Sequence, residues 1–326
     1  MRTARKVVIT EFGGAEKLTL QSVELPLPAP GEVQIRQTAI GFNFIDVYQR
    51  KGIYPLPLPT GIGHEAAGVV EAVGAGVSQF RPGDRVAYMN AGLGAYADYR
   101  NVAAEKLVPI PAAVSDEQAA AIFFKGMTAQ YLLRKTYRVK AGDLVLVHAA
   151  AGGVGQILCR WAKALGAFVV AAAGSEAKCT AAKAAGADAA VDYSQTDWPD
   201  AFLAATGGRK ANVVYDSVGK ATFLQSLDCA AQFGMVVLFG AASGPAPAIE
   251  PELLNKKGCL FLTRPSVFPH NADPAVFREN AADLFAAVAA GSVQAVIGAT
   301  YQLADIVQAH RAAEARTTQG ATLIIP

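Results

Sequence analysis

A glycine-rich turn between a short apolar run and an amphipathic segment constrains the fold of this chain more than any other feature. The run Val145-Leu146-Val147-His148 indicates a buried strand, and the turn Ala149-Ala150-Ala151-Gly152-Gly153-Val154-Gly155 follows it. Beyond the turn, apolar residues recur at helical spacing up to Gly166, namely Val154, Ile157, Leu158, Trp161, Ala162 and Leu165. A strand, a glycine turn and a helix in this order present backbone N–H groups and a helix N-terminus to a phosphate group.

The spacing Ala150-x-Gly152-x-x-Gly155 is a dinucleotide-binding fingerprint with alanine in its first position. Because the chain has 31 glycines, the spacing alone also fits an ordinary turn between a strand and a helix. Its context favours nucleotide binding, since further strands are predicted at 168–173, 189–193, 212–217, 235–240 and 259–264. Helices are predicted near 176–185, 197–205 and 220–231, and a Pro/Gly-rich loop without a helix joins the last two strands. This alternation predicts a doubly wound parallel sheet of the Rossmann type.

The end of the second predicted strand bears on the choice of cofactor. An NAD-preferring site usually has Asp or Glu there to hold the ribose hydroxyls, but here Gly174 and Ser175 follow the strand. The small residues leave room for a 2′-phosphate, Ser175 can donate a hydrogen bond to it, and Lys178 supplies a positive charge. The pattern therefore favours NADPH over NADH. Glu176 is the contrary observation, because it can contact a ribose if its side chain turns inward.

Length and composition limit the remaining possibilities. A length of 326 residues favours two domains. Hydrophobic residues make up 52% of the chain and charged residues 17%, a composition that allows a large core. The net charge of +2 gives no reason to expect a nucleic-acid or membrane-surface partner, and no apolar stretch reaches transmembrane length. The basic start is followed by too few apolar residues for a signal peptide, so we predict a cytoplasmic protein. Four widely spaced cysteines indicate neither a disulfide framework nor a structural zinc site.

The regions on either side of the predicted parallel sheet differ from it. Residues 1 to about 123 are short strands punctuated by Gly and Pro, predicted at 6–10, 32–39, 68–73 and 85–89, and a helix follows at 116–133. After 265, two amphipathic helices at 274–290 and 303–315 precede a last strand at 321–325. We predict that this tail returns to the first domain. The result is a discontinuous β-rich domain, 1–125 plus 265–326, with a Rossmann domain inserted at 126–264.

Several further segments together resemble one protein family. They are Gly41-Phe42-Asn43-Phe44-Ile45-Asp46-Val47-Tyr48, Gly63-His64-Glu65-Ala66-Ala67-Gly68-Val69-Val70, Pro82-Gly83-Asp84-Arg85-Val86, Val214-Tyr215-Asp216-Ser217-Val218-Gly219 and Thr263-Arg264-Pro265-Ser266. With the glycine turn, they resemble the zinc-free medium-chain dehydrogenases/reductases, specifically the NADPH:quinone oxidoreductases of the zeta-crystallin-like group. The resemblance implies a GroES-like catalytic domain, a Rossmann domain and a cleft between them. It also implies homodimers joined through the edge strands of the Rossmann sheets, here near 259–263.

The motif Gly63-His64-Glu65 is shared with zinc-dependent relatives, which use the histidine as a metal ligand. A catalytic zinc needs three protein ligands, commonly including thiolates. Asn43 stands where those relatives carry the first cysteine, and no cysteine precedes Cys159. The four-cysteine lobe of those relatives is replaced by a short segment at 91–94. We therefore predict no metal, a hydrogen-bonded His64 behind the site, and a reaction other than metal-assisted alcohol oxidation.

The predicted reaction is hydride transfer from nicotinamide C4 of NADPH to a quinone, which requires two flat rings held in contact. From the segment that the family places beside the nicotinamide, we predict that Asn43 orients the cofactor or substrate. Tyr48 is predicted to donate a hydrogen bond to the developing oxyanion. Asp46 is predicted to orient Tyr48 or the ribose, and Tyr54 lies nearby. Two alternatives stay open: Asn43 as the cap of a turn, and Tyr48 as a rim residue on a helix.

The resemblance implies a wider set of cofactor contacts. Near the nicotinamide and phosphates these are Phe42, Asn43, Lys125, Thr128, Gly152, Gly153 and Val154. Around the adenosine phosphate, they are Ser175, Lys178 and Tyr193. Beneath the ribose and ring, and closing over the cofactor, they are Ser217, Phe239, Gly240, Arg264, Ser266 and Arg316.

Two other functions compete with quinone reduction. An NADPH-dependent reductase of enones or enoyl thioesters shares the fold, cofactor and hydride step. It also needs a proton delivered to Cα, so Tyr48 or Tyr54 would have a more critical role as the acid. A non-enzymatic role, crystallin-like or RNA-binding, fits less well, because the charge is near neutral without a basic stripe and the cofactor motifs are intact.

Overall fold

The computed structural model describes residues 1–315 and 318–326, and the chain divides into two compact units. The first unit comprises Met1–Lys125, Asp273–Phe285 and Ala295–Pro326. The second comprises Gly126–Ala272 and Ala286–Gln294.

Strands and helices follow one another along the chain with these bounds. The strands are β1 Arg2–Ile9, β2 Thr19–Leu25, β3 Glu32–Gly41, β4 Thr60–Gly61, β5 Glu65–Val73, β6 Arg85–Met89, β7 Tyr99–Ala103, β8 Leu107–Pro109, β9 Leu144–His148, β10 Phe168–Ala173, β11 Ala189–Asp192, β12 Ala211–Asp216, β13 Ala230–Leu238, β14 Phe261–Thr263, β15 Ile297–Gln302 and β16 Ala321–Ile325. The helices are α1 Phe44–Arg50, α2 Asp116–Tyr131, α3 Gly153–Ala164, α4 Glu176–Ala184, α5 Trp198–Ala205, α6 Phe223–Cys229, α7 Glu252–Lys256, α8 Val267–His270, α9 Pro274–Ala289 and α10 Ile306–Glu314.

The first unit is built on two sheets. The smaller has the order β2-β1-β4, and the larger has the order β15-β16-β3-β5-β6-β8, with β7 also paired to β3. Neighbouring strands are antiparallel except for the parallel pair β15 and β16. Strand β3 holds the unit together because its β-branched residues, such as Val33 and Ile35, are fully buried in the core that also contains Tyr96.

The second unit is a parallel sheet with the order β11-β10-β9-β12-β13-β14. Its central strand β9 is buried along its whole length, as expected for a strand covered on both faces. The strand order reverses between β9 and β12, and ligands bind outside the carboxyl ends of the strands at such a reversal. Because the strands are parallel, the loops that follow them meet at one edge, called here the carboxyl edge.

The predicted fold class, a Rossmann-type parallel sheet with a β-rich GroES-like part, is confirmed. The predicted strands at 85–89 and 321–325 are found with the same limits. Several details were wrong, among them one loop and one strand. The loop between β13 and β14 contains α7, whose single turn with no buried residue is too short to show periodicity. Strand β15 was missed because its residues are mostly exposed and give little apolar alternation.

Within residues 1–315 and 318–326, every helix is too short or too polar to cross a membrane.

Candidate functional site

The first unit brings predicted site residues together where β3 ends and α1 begins. Gly41 of β3 pairs with Glu65 of β5, so Asn43 lies beside the Gly63-His64-Glu65 motif. The Asn43 side chain donates through Nδ2 to Glu65 Oε1 at 2.8 Å. Asn43 is also the N-cap residue of α1, with the extended backbone conformation typical of that position. The alternative that Asn43 caps a turn is therefore compatible with its contact to Glu65.

Lys125 completes a buried polar triad with Asn43 and Glu65. Its Nζ donates to Asn43 Oδ1 at 3.1 Å and to Glu65 Oε1 at 3.2 Å. The other carboxylate oxygen, Oε2, accepts from the backbone N–H of Phe124 at 2.7 Å. Glu65 is fully buried and Lys125 is 6% exposed, so each charge is balanced by the other in a poorly solvated interior. These contacts fix the Asn43 amide with its oxygen toward the ammonium and its nitrogen toward the carboxylate.

Asp46 lies one turn into α1 and is fully buried. Its Oδ2 accepts from the backbone N–H of Asn43 at 2.9 Å and from the Tyr96 hydroxyl at 2.7 Å. The first of these contacts is half of a capping box. Burial raises the pKa of Asp46 to about 7, although the two hydrogen bonds act in the opposite direction. The described contacts thus make Asp46 a support for the start of α1, and its role toward Tyr48 or the ribose stays a prediction.

Tyr48 and Tyr54 belong to a row of partly exposed rings. Tyr48 packs edge-to-face on Phe44 at 5.1 Å and on Tyr54 at 5.4 Å between ring centroids. The Tyr48 carbonyl accepts from the backbone N–H groups of Ile53 and Tyr54, which folds the chain back after α1. Tyr54 is 38% exposed and Tyr48 is half-buried. Phe42, by contrast, is buried, with its ring against His310 in the core.

The second unit gathers most of the predicted cofactor residues at the carboxyl edge of its sheet. They follow β9 (Gly152, Gly153, Val154), β10 (Ser175, Lys178), β11 (Tyr193), β12 (Ser217), β13 (Phe239, Gly240) and β14 (Arg264, Ser266). Thr128 is buried in α2. Arg264 donates to the Leu238 carbonyl at 2.9 Å. Arg316 lies outside the described residues.

The turn after β9 has the features that a pyrophosphate requires. Gly152 is the N-cap residue of α3, and neither a capping side chain nor an acidic residue occupies the first turn of that helix. Within the described part of the chain, no side chain caps the first amides of α3, so these amides and the positive end of the helix dipole can bind an anion. A Cβ atom on Gly155 would collide with the Ala149 carbonyl oxygen, so only glycine permits this close packing of turn and helix.

The turn after β10 has the features that a 2′-phosphate requires. The strand ends at Ala173, and a Cβ atom on Gly174 would lie 3.2 Å from the ring of Tyr193. Ser175 is the N-cap residue of α4, where its Oγ accepts from the backbone N–H of Lys178 at 3.4 Å and keeps its proton for another acceptor. Lys178 is half-buried in the first turn of the same helix. Glu176 is exposed there.

Comparison with known proteins agrees with this geometry. Two family models match: the alcohol dehydrogenase GroES-like domain at residues 29–112 and zinc-binding dehydrogenase at residues 153–286. The quinone oxidoreductase of Pseudomonas aeruginosa is 44% identical over 99% of this chain and 100% of that protein. Quinone oxidoreductase 1 of Escherichia coli is 44% identical with the same coverage. The crystal structure of Escherichia coli quinone oxidoreductase complexed with NADPH aligns with a TM-score of 0.95 at 44% identity, over 99% of this chain and 100% of that one.

This chain belongs to the quinone oxidoreductase family. The family is a branch of the medium-chain dehydrogenases/reductases, and the resemblance drawn from the motifs is confirmed. The quinone oxidoreductase family also includes a relative with a different name, since a 2-haloacrylate reductase from a Burkholderia species is 41% identical over 98% of both chains.

The residues of this chain do not fit a catalytic zinc, despite the name of the second family model. His64 Nε2 lies 3.0 Å from Gln49 Oε1, and burial lowers the pKa of His64 to about 4, with a further contribution from Arg100. Asn43 is held by Glu65 and Lys125, whose ammonium group would repel a dication. Among residues 1–315 and 318–326, no group of three His, Cys, Asp or Glu is arranged to hold a metal ion.

The segment 91–94, which was predicted to replace the four-cysteine lobe, is held by a cation. Arg100 Nη2 donates to the carbonyl oxygens of Ala91, Gly92 and Leu93 at 2.6, 2.8 and 3.0 Å. The guanidinium lies over the ring of Tyr88, 5.2 Å from its centroid. The segment is thus tied to β7 by one side chain.

Sequence reasoning missed several partners of the site residues. It gave no role to Tyr96, which bonds Asp46, or to Lys125 as a partner of Glu65. It also missed the buried carboxylate of Asp216, although the Val214 to Gly219 motif was recognised. The only available signal was the polar character of these residues within apolar segments, because their partners lie 50 to 60 positions away in the cases of Tyr96 and Lys125.

Proposed function

We propose that this chain is an NADPH-dependent quinone oxidoreductase that works without a metal ion. The observation that carries the proposal is the carboxyl edge of the second unit. At that edge, none of the described side chains caps the N-terminus of α3, and Ser175 and Lys178 lie at the start of α4. NAD-preferring sites have an acidic residue at the end of the strand that precedes this second helix. The 44% identity to quinone oxidoreductases over the full chain supports the quinone as acceptor.

Each part of the carboxyl edge has a separate task in binding. The amides of Gly153 and Val154 bind the pyrophosphate at the start of α3. Ser175 donates a hydrogen bond to the 2′-phosphate, and the Lys178 ammonium neutralises part of its charge. When bound, NADPH supplies the hydride. The protein contributes position and a dry environment, because a quinone is already a good electrophile.

The first unit supplies groups that stabilise the product oxygen. Negative charge develops on a quinone oxygen during reduction, and a fixed donor or cation lowers its energy. Lys125 uses two of its N–H groups on Asn43 and Glu65, and its third N–H has no partner among the described residues. Tyr54 is 38% exposed and Tyr48 is half-buried. We assign Lys125 and Tyr48 as donors toward the quinone oxygen, with Asn43 and Asp46 as positioning residues.

The assay is anaerobic oxidation of NADPH by 1,4-benzoquinone, followed at 340 nm with NADH in parallel. In this assay Lys178→Glu is expected to raise the KM for NADPH by about tenfold or more, because a carboxylate replaces an ammonium beside the 2′-phosphate. The KM for NADH, which lacks that phosphate, should change little.

The matched control is Lys183→Glu, which makes the same charge change on an exposed residue in the last turn of α4. It should leave both KM values close to those of the wild type. An equal rise of both KM values in Lys178→Glu would contradict the 2′-phosphate assignment. Absence of benzoquinone turnover in the wild type would contradict the quinone reductase proposal itself.

Reduction of activated alkenes is a second candidate activity. It is favoured by the 41% identity to a 2-haloacrylate reductase over nearly the whole chain. The hydride would go to the β-carbon and a proton to Cα, so the reaction depends on a proton donor such as Tyr48. A 2-haloacrylate in place of benzoquinone tests it in the same assay. Turnover that exceeds the benzoquinone rate would make the alkene the preferred substrate.

We further propose a homodimer in which two copies pair through β14. Among the strands of residues 1–315 and 318–326, β14 pairs with β13 alone, and Phe261 and Leu262 are 57% and 37% exposed. An exposed apolar edge strand favours pairing with another copy. Phe261→Glu is expected to convert a dimer, about twice 33.9 kDa, into a monomer in sedimentation velocity. Leu27→Glu, at a leucine that is 72% exposed in the first unit, is the control and should leave the mass unchanged.

A further inference from the structure

The carboxylate of Asp216, at the end of β12, is fully buried and accepts hydrogen bonds from four donors. The backbone N–H groups of Val218 and Gly219 donate to Oδ1 at 2.8 and 3.0 Å. The Thr222 hydroxyl contacts both oxygens, and the Ser226 hydroxyl lies 2.9 Å from Oδ2. Asp216 therefore shapes the loop that contains Ser217 and joins it to the start and middle of α6.

Ser226 extends this group to a buried histidine. Because the Asp216 carboxylate acts as an acceptor toward all its partners, the single hydroxyl proton of Ser226 is directed to it. Ser226 Oγ also lies 2.9 Å from His148 Nε2, so the oxygen accepts there and His148 carries its proton on Nε2. Burial lowers the pKa of His148, which keeps the ring neutral near pH 7. The ring also forms a T-shaped pair with Trp198, at 5.1 Å between centroids.

His148 has a particular place in the chain, since it is the last residue of β9. The next residue, Ala149, adopts a positive φ of 50°, and the turn to Gly152 starts there. A hydrogen bond to the His148 ring therefore fixes the strand end from which the pyrophosphate turn departs. The main chain of Asp216 adds a third loop, because its carbonyl accepts from the N–H of Phe239 after β13 at 2.9 Å.

We propose that the chain Asp216–Ser226–His148 is a positioning unit for the dinucleotide. It joins the turn after β9 to the loop after β12, so the pyrophosphate amides and Ser217 keep a fixed spacing along the carboxyl edge. None of the three side chains needs to touch the cofactor, since each is fully buried. The inference rests on the proposed function, because it takes NADPH as the ligand of this edge.

Ser226→Ala tests the link, because it removes the hydroxyl and leaves the other donors to Asp216 in place. The Kd for NADPH, measured by calorimetric titration, is expected to rise about tenfold, the effect of one lost hydrogen bond in a buried network. With saturating NADPH, kcat for 1,4-benzoquinone should stay within about twofold of the wild type, since a loss confined to binding leaves the chemical step intact. His148→Phe keeps an aromatic ring against Trp198 but removes the N–H group that donates to Ser226. It should raise the Kd for NADPH by the same factor.

Thr206→Ala is the matched control for a general loss of stability in the second unit. Thr206 is also buried, and its hydroxyl donates to the Arg209 and Phe202 carbonyls at 2.6 and 3.0 Å. It precedes β12 and thus lies away from the carboxyl edge. The control should lower the melting temperature and leave the Kd for NADPH unchanged.

The outcomes separate the inference from the proposed function. An unchanged Kd in Ser226→Ala and His148→Phe, with a wild type that binds NADPH, overturns the inference alone. An equal rise of Kd in Thr206→Ala overturns it too, because the effect would then be loss of stability. Failure of the wild type itself to bind NADPH overturns the proposed function and the inference with it.

Discussion

Replacing Glu65 with glutamine is expected to lower the free energy of unfolding by about 3 kcal/mol, because it leaves a buried ammonium without its counter-charge. Lys125 is 6% exposed, and its charged partner in the described structure is Glu65 at 3.2 Å. Glutamine keeps the size of the side chain and an acceptor for one donor, so loss of packing contributes little. Urea unfolding of the two proteins measures the difference.

The double variant Glu65→Gln with Lys125→Met distinguishes charge balance from geometry. With both charges removed, no buried ion remains, and most of the lost stability should return. Turnover of benzoquinone by the double variant should nevertheless stay below that of the wild type, since Lys125 is assigned as a donor to the quinone oxygen. Glu71→Gln is the control, because Glu71 pairs with Arg2 and Arg36 near the surface, where an ion pair contributes at most about 1 kcal/mol. A double variant as unstable as Glu65→Gln would contradict charge balance as the cause.

The sequence allowed the second unit to be predicted in more detail than the first. Its strands, turns and helices are local patterns, and a parallel sheet places the end of every strand on one edge. Gly152 was assigned from the turn after the first of these strands, and Ser175 and Lys178 from the end of the second, without knowledge of any contact, whereas Ser217 was implied by the family resemblance. The order of the strands and the short helix α7 carried no such local signal.

The polar triad of the first unit, Asn43, Glu65 and Lys125, could not be predicted from the sequence for a different reason. Asn43 and Lys125 are 82 residues apart, and their hydrogen bond depends on where α2 lies against β3 and β5. The family resemblance gave Asn43 a role toward the cofactor or substrate and Asp46 a role toward Tyr48 or the ribose. The structure adds that Asn43 is held by two charged groups and that Asp46 bonds Tyr96. Such contacts follow from the packing of elements, which periodicity does not encode.

The buried carboxyl of Asp46 is expected to make the protein less stable as the pH rises from about 4 to 7. Burial raises its pKa to about 7 in the folded state, against about 3.9 in an unfolded chain. Between these values the folded state binds one more proton than the unfolded state, so stability falls with rising pH by about 1.4 kcal/mol per unit. The loss should level off above pH 7, where Asp46 is ionised in both states.

Asp46→Asn should remove this dependence, because asparagine does not titrate and keeps one oxygen as an acceptor for Tyr96 or the Asn43 amide. The unfolding free energy of the variant minus that of the wild type should therefore increase by about 2 kcal/mol between pH 5 and pH 7, and by less than about 0.5 kcal/mol from pH 7 to pH 8. The opposite dependence caused by buried His310, whose pKa burial lowers to about 3, is present in both proteins and cancels in the difference. A difference that is constant from pH 5 to pH 8 would mean that Asp46 is already ionised in the folded protein at pH 5. In that case hydrogen bonds from Asn43 and Tyr96, rather than protonation, would be what makes its burial tolerable.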